Sequence, residues 1–243
     1  MHHPSFRIER HRPVAPTRHA GIALARAVAL VLVVSIGPAQ AQVAPTPAEA
    51  QAYTGLHRAA QQGDLRAIGA APRGTLDPHG RTPLHVAAFA RRRDAVQALL
   101  AAGADPGALD ADRYDAVTIA AVADDAATLR TLLAGGASAK LVTSRYDGTA
   151  LIAAAHLGHD GVVRQLIAAG APLDHVNNLH WTALIEAVVL GDGGPRHQAT
   201  LQALLDAGAD HRLADRAGRT PLQLARAHGY AAMLALLERA GAK

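Results

Sequence analysis

The chain has 243 residues, 50% hydrophobic, 18% charged and only 3% aromatic. That composition excludes a disordered chain and favours thin layers of small side chains over a ring-filled enzyme interior. The absence of cysteine excludes disulfide frameworks, thiolate nucleophiles and cysteine-held zinc or iron–sulfur clusters.

The formal charge of +4 is local. Five arginines and one glutamate lie in residues 1–41, leaving 19 basic and 19 acidic residues in 42–243. A neutral body carries no electrostatic footprint for nucleic acid. The first 41 residues read as an export signal: Arg7, Arg10, Arg12, Arg18 and Arg26, then the apolar run Ala27–Ile36, then Ala39-Gln40-Ala41. A run of about ten apolar residues is half of what a bilayer span requires, so cleavage after Ala41 is expected, with no stable membrane insertion of the mature chain. Residues 42–52, rich in proline and alanine, are expected to be a linker.

The remainder repeats. Thr54, Thr82, Asp115, Thr149, Thr182 and Thr220 are each followed two residues later by an aliphatic residue (Leu56, Leu84, Val117, Leu151, Leu184, Leu222). Three residues further on stands an alanine (Ala59, Ala87, Ala120, Ala154, Ala187, Ala225). The spacings are 28, 33, 34, 33 and 38 residues, a period of 33 with a deletion early and an insertion late. Each leading residue is a helix N-cap, and Pro83 and Pro221 stand at the first helical position, where a missing N–H costs nothing. Leu and Ala three apart share one face, where alanine lets neighbouring helices approach closely. Gly63, Gly158, Gly191 and Gly229 suit the left-handed turn that ends the first helix. A second helix then runs to Gly-Ala at 103, 136, 170, 208 and 241.

The segments Arg81-Thr82-Pro83-Leu84-His85-Val86-Ala87-Ala88 and Leu99-Leu100-Ala101-Ala102-Gly103-Ala104-Asp105 resemble the ankyrin repeat, and the resemblance extends over residues 53–243. It implies an all-α solenoid of about six helix-turn-helix repeats (53–76, 77–109, 110–143, 144–176, 177–214 and 215–243) with β-hairpin finger loops projecting on one side. It also implies a concave surface that binds a protein partner, and local structural roles for His57, His85 and His159. Such a stack buries its core only between neighbours, so the polar outer repeats act as caps.

Departures from the pattern mark candidate sites. Repeat three lacks the proline and carries Asp124 where the turn glycine belongs, which predicts the weakest link. Repeat five has five extra residues within Gly191–Gln198, read as a loop protruding opposite the fingers, with Asp192, Arg196 and His197 as secondary contacts. On the fingers of repeats three to five, Arg113-Tyr114, Arg145-Tyr146 and His180-Trp181 form the expected protein-binding set, because Tyr, Trp and Arg dominate interface hot spots. Simple stacking on the neighbouring finger would account for the aromatics equally well.

His156-x-x-His159 has the spacing of a metal pair but no third ligand type beside it. Glu186, Asp192 and His197 are the only improvised catalytic grouping, and no nucleophile elbow, phosphate loop or dinucleotide turn occurs. The reading is a monomeric, non-enzymatic interaction scaffold of the periplasm, without cofactor or metal. A periplasmic small-ligand or metal-binding accessory protein is the alternative.

Overall fold

In the computed structural model, residues 43–70 and 75–243 are described. The expected export signal and its cleavage point therefore lie outside the described residues. A short helix α1, Pro47–Ala52, precedes six helix pairs. The first members are α2 (Gly55–Gln62), α4 (Pro83–Phe89), α6 (Ala116–Val122), α8 (Ala150–His156), α10 (Ala183–Val189) and α12 (Pro221–His228). The second members are α3 (Leu65–Ala70), α5 (Arg93–Ala101), α7 (Ala126–Ala134), α9 (Asp160–Ala168), α11 (Pro195–Asp206) and α13 (Ala231–Arg239). First members pack on first members and second on second, each with its sequence neighbours, which is a solenoid.

The repeated residues do what their chemistry dictates. Ala87, Ala120, Ala154, Ala187 and Ala225 are fully buried in one continuous core, with Leu84, Val117, Leu151, Leu184 and Leu222 beside them. Alanine at this seam leaves room for the adjacent helix but none for added methylenes. Five of the six leading residues accept a hydrogen bond from the amide three residues on, as caps should. Thr54 departs from the expectation: Gly55 follows it with φ of 52° where Pro83 and Pro221 set a helical start, and the Thr54 hydroxyl caps nothing.

Two more expectations are corrected. Gly191 is not left-handed; a Cβ there would collide with the Ala187 carbonyl oxygen and the His197 ring, so close packing is what requires glycine. In repeats two and three the left-handed residue is Arg91 or Asp124, so repeat three is not alone in lacking the glycine. It also has compensation: Asp115 and Asp125 cap both of its helices, each through the backbone and hydroxyl of a threonine, Thr118 or Thr128.

Among the described residues the only strands are β1 (Val142–Thr143) and β2 (Gly148–Thr149), antiparallel with Val142 opposite Thr149. The fingers of repeats two, three, five and six are tight turns, closed by backbone bonds Asp77 to Arg81, Asp110 to Tyr114, Asn177 to Trp181 and Asp215 to Arg219. No described helix is long and apolar enough to cross a membrane.

Candidate protein-binding surface

Each finger is built on a side chain five residues before the helix cap. Oδ1 of Asp77, Asp110, Asn177 and Asp215 accepts the amides two and four residues ahead, and in repeat four Ser144 takes one such bond from Tyr146. This is the Asx turn, in which a short side chain replaces a backbone acceptor. The periodic Asp/Asn/Ser column was present in the sequence and is a signal that the cap-and-alanine reading passes over.

The residue two before each cap is left-handed in all five described fingers: Gly80, Arg113, Asp147, His180 and Gly218. Arg113 and His180 thus stand exposed at strained tips. Neighbouring tips are joined by backbone bonds, Ala111 to His79, Ser144 to Arg113 and Asn178 to Tyr146, and Arg216 donates to the Asn178 carbonyl.

Of the six expected contact residues, Tyr114 and Trp181 occupy the same place, one before the cap, half-buried against the core. Tyr146 does not align with them: it is three before Thr149, and Gly148 holds the equivalent place. The place before the cap therefore holds two aromatics flanking a glycine, with Tyr146 two residues earlier on its finger. Burial and then the nearby Asp112 push the Tyr114 hydroxyl's pKa up. Arg113 pairs with Asp147 at 3.5 Å and Arg145 with Asp112 at 2.6 Å, a reciprocal exchange between fingers three and four. Exposed pairs of this kind contribute about 0–1 kcal/mol and are readily exchanged for a partner's carboxylate.

The insert of repeat five does not protrude. Pro195 starts α11, which has twelve residues against nine in α5, α7, α9 and α13, so much of the insertion is helix. Arg196 reaches Asp124 at 2.7 Å, and His197 bonds Asp192 at 2.7 Å and the His156 carbonyl at 2.9 Å. Tyr230 donates to the Gly191 carbonyl. Arg196 and His197 thus tie the insert to the turns of repeats three and four and Tyr230 ties it to repeat six, while the exposed Asp192 holds His197 within the insert.

The histidines hold repeats together as well as local backbone, since His85 Nδ1 also accepts the Thr82 amide. His57 bonds the Arg81 carbonyl, His85 that of Tyr114 and His159 that of Ala121, each in an adjacent repeat, while His175 bonds that of Asp147 within repeat four. His159 faces the preceding repeat, whereas His156 lies 3.3 Å from Glu186 in the following one, so the two rings do not converge on a common ion. Among the described residues no three His, Asp or Glu side chains converge as a metal site. Glu186 is buried and bonded by Asn177, while Asp192 pairs with His197; the improvised catalytic grouping is not assembled.

A stack of helix pairs with linked fingers defines a repeat scaffold that presents a surface. Ankyrin repeat models match residues 79–111 and, as three copies, 117–215. The Escherichia coli ankyrin repeat protein YahD is 37% identical over 190 residues, which is 76% of this chain and 94% of YahD. Human ankyrin repeat and SOCS box protein 16 is 33% identical over 68% of this chain and 37% of its own length. An ankyrin repeat domain from Acinetobacter baumannii AYE superposes with a TM-score of 0.73 at 44% identity, covering 77% of this chain and 98% of that one. The ankyrin repeat domain of Bcl-3 gives 0.70 at 30% identity, covering 79% and 88%. The chain belongs to the ankyrin repeat family. Ankyrin repeats are general protein–protein interaction domains, and proteins built from them are typically non-enzymatic binding scaffolds.

Proposed function

We propose that this chain is a monomeric, non-enzymatic scaffold, exported to the periplasm through residues 1–41, that holds a protein partner against its fingers and concave face. The observation that carries the reading is the placement of Tyr114, Tyr146 and Trp181, partly exposed on three consecutive fingers whose backbones are bonded to one another. Large rings on a fixed backbone lose little freedom on binding, which is the property of interface hot spots. Arg113, Arg145 and His180 supply a polar rim around them.

The test begins with capture of partners from periplasmic extract of the source bacterium by the mature protein. Trp181→Ala and Tyr146→Ala then weaken binding of the captured partner by at least about 2 kcal/mol each, with circular dichroism unchanged. Affinities within about 0.5 kcal/mol of wild type for both reject the finger surface. Mass spectrometry of the exported protein tests the route: a mature N-terminus at Gln42 supports it, and retention of residues 20–36 rejects it.

A further inference from the structure

Arg81 and Arg219 occupy the same place in repeats two and six, immediately before the cap, each four residues after an aspartate of its own finger. In repeat six the guanidinium folds back on Asp215 through Nε at 2.9 Å and Nη2 at 2.8 Å, and its side chain stays 55% exposed. In repeat two the same side chain is 2% exposed and does something else. The Tyr53 hydroxyl donates to Oδ2 of Asp77 at 2.9 Å, occupying the oxygen that Arg81 would otherwise take. Arg81 Nη1 is left 3.5 Å from that oxygen, an ion pair without a hydrogen bond. Nη2 instead donates to the main-chain carbonyl of Val43 at 2.6 Å, with the guanidinium over the Phe89 ring.

Two buried donors, Nε and Nη1, have no hydrogen-bond partner, although Nη1 is ion-paired with Asp77. Unpaired buried donors are costly, and those of a charged group more so. The partner of the remaining donor, Nη2, is lightly held. Residues 43–52, expected to be a linker, form a strap across this finger: Val43 meets Arg81 and Glu49 pairs with His79. Helix α1 within it buries none of its residues, and a six-residue helix has little stability of its own. Tyr53, by contrast, is buried and stacks on His57, so Asp77 stays engaged whether or not the strap is seated.

We propose that the Arg81 pocket is a docking site for an extended acidic peptide of a partner protein, and that residues 43–52 are its placeholder in cis. A carboxylate satisfies two N–H groups of a guanidinium fork where a single carbonyl satisfies one, so an acidic segment displaces the strap at a net gain in hydrogen bonding. His79, released from Glu49, receives a second carboxylate of the same peptide. The inference rests on the proposed function only in placing the partner on the finger side, and its test needs no identified partner.

The probe is hexaglutamate, with hexaglutamine as the uncharged control, titrated into the full mature chain while amide hydrogen exchange is followed. Hexaglutamate binds and speeds exchange of the strap amides, and hexaglutamine does neither. Glu49→Ala, which loosens the strap, tightens binding. Arg81→Gln weakens it by about tenfold or more, the scale of one charge-assisted bond, and Arg219→Ala leaves it unchanged. Arg81→Lys keeps the charge without the fork and falls between; it also serves if Arg81→Gln does not fold. Failure of hexaglutamate to bind even the Glu49→Ala chain overturns the proposal. So does binding that leaves strap exchange unaltered, or that is equal in the Arg81 variants. Loss of partner capture in Trp181→Ala with this titration unaffected, or the reverse, separates the two readings.

Discussion

Along the finger edge each described junction from repeat two to repeat five is closed by one main-chain bond, spaced as the repeat is spaced. Along the turn edge every junction is tied by side chains, Arg92 to Gln61, Arg91 to Ala123 and His159 to Ala121, and the ties are densest around the insertion, where Arg196, His197 and Tyr230 join repeats three to six. The first pattern is periodic because it is made by backbone in a repeated turn. The second is irregular because it depends on which side chains happen to face each other. A solenoid couples only through neighbours, so the finger edge sets a uniform stiffness while the denser ties around the insertion add to it in repeats three to six.

The largest effect is expected in the alanine seam that both edges enclose. Ala120→Leu and Ala154→Leu each force added volume into a fully buried position and should lower unfolding stability by about 1–3 kcal/mol. A wild-type urea midpoint for both would show that the seam is misassigned.

On the turn edge, Gly193 has φ of 68°, and a Cβ there would lie 2.5 Å from the Tyr230 ring. Gly193→Ala should cost about 1–3 kcal/mol, with hydrogen exchange rising in repeats five and six only. His197→Ala, which removes the ties to Asp192 and His156, should cost about 1 kcal/mol, with exchange rising in repeats four and five only. Uniform loosening of all six repeats in either variant would end the distinction between the edges.

The finger edge has a pH dependence of its own. His85 Nδ1 accepts the Thr82 amide, and its Nε2 donates to the Tyr114 carbonyl of the next finger. Burial, the largest cause, holds its pKa below the ordinary 6.5 despite that bond and the charges of Asp110 and Asp115. A proton on Nδ1 would also oppose the Thr82 donor. The unfolded chain therefore takes up this proton first, and the stability His85 contributes, complete above about 6.5, is lost as pH falls toward its folded value. The urea midpoint should drop between pH 7.5 and 5.5, and His85→Asn should flatten that drop. An undiminished slope in the variant would assign the dependence elsewhere.

The smallest expected effect has the opposite sign. His180 is left-handed at its fingertip, so His180→Gly should relieve strain and raise stability by about 0.5–1 kcal/mol, net of glycine's entropy in the unfolded chain. A loss would mean that the ring makes contacts that offset the strain.

The helix caps at Thr82, Asp115, Thr149, Thr182 and Thr220, the alanine seam and the glycines ending the second helices were legible because each is a local rule written five or six times, so a weak signal adds over copies. The finger set was legible only as a list of residue types. That Tyr146 is out of register with Tyr114 and Trp181 follows from counting back to each cap, and that Arg113 and Arg145 exchange carboxylates follows only from two fingers lying side by side.

By itself the sequence determined the period, the order of helix and turn, and which face of each first helix is buried, since these depend on contacts within a few residues. The tertiary structure alone decided that Arg196 meets Asp124 seventy-two positions away, that histidines bridge repeats, and that residues 43–52 cover Arg81 while Arg219 stays open. Those contacts depend on how successive repeats stack, a geometry to which every repeat contributes and which no short segment encodes.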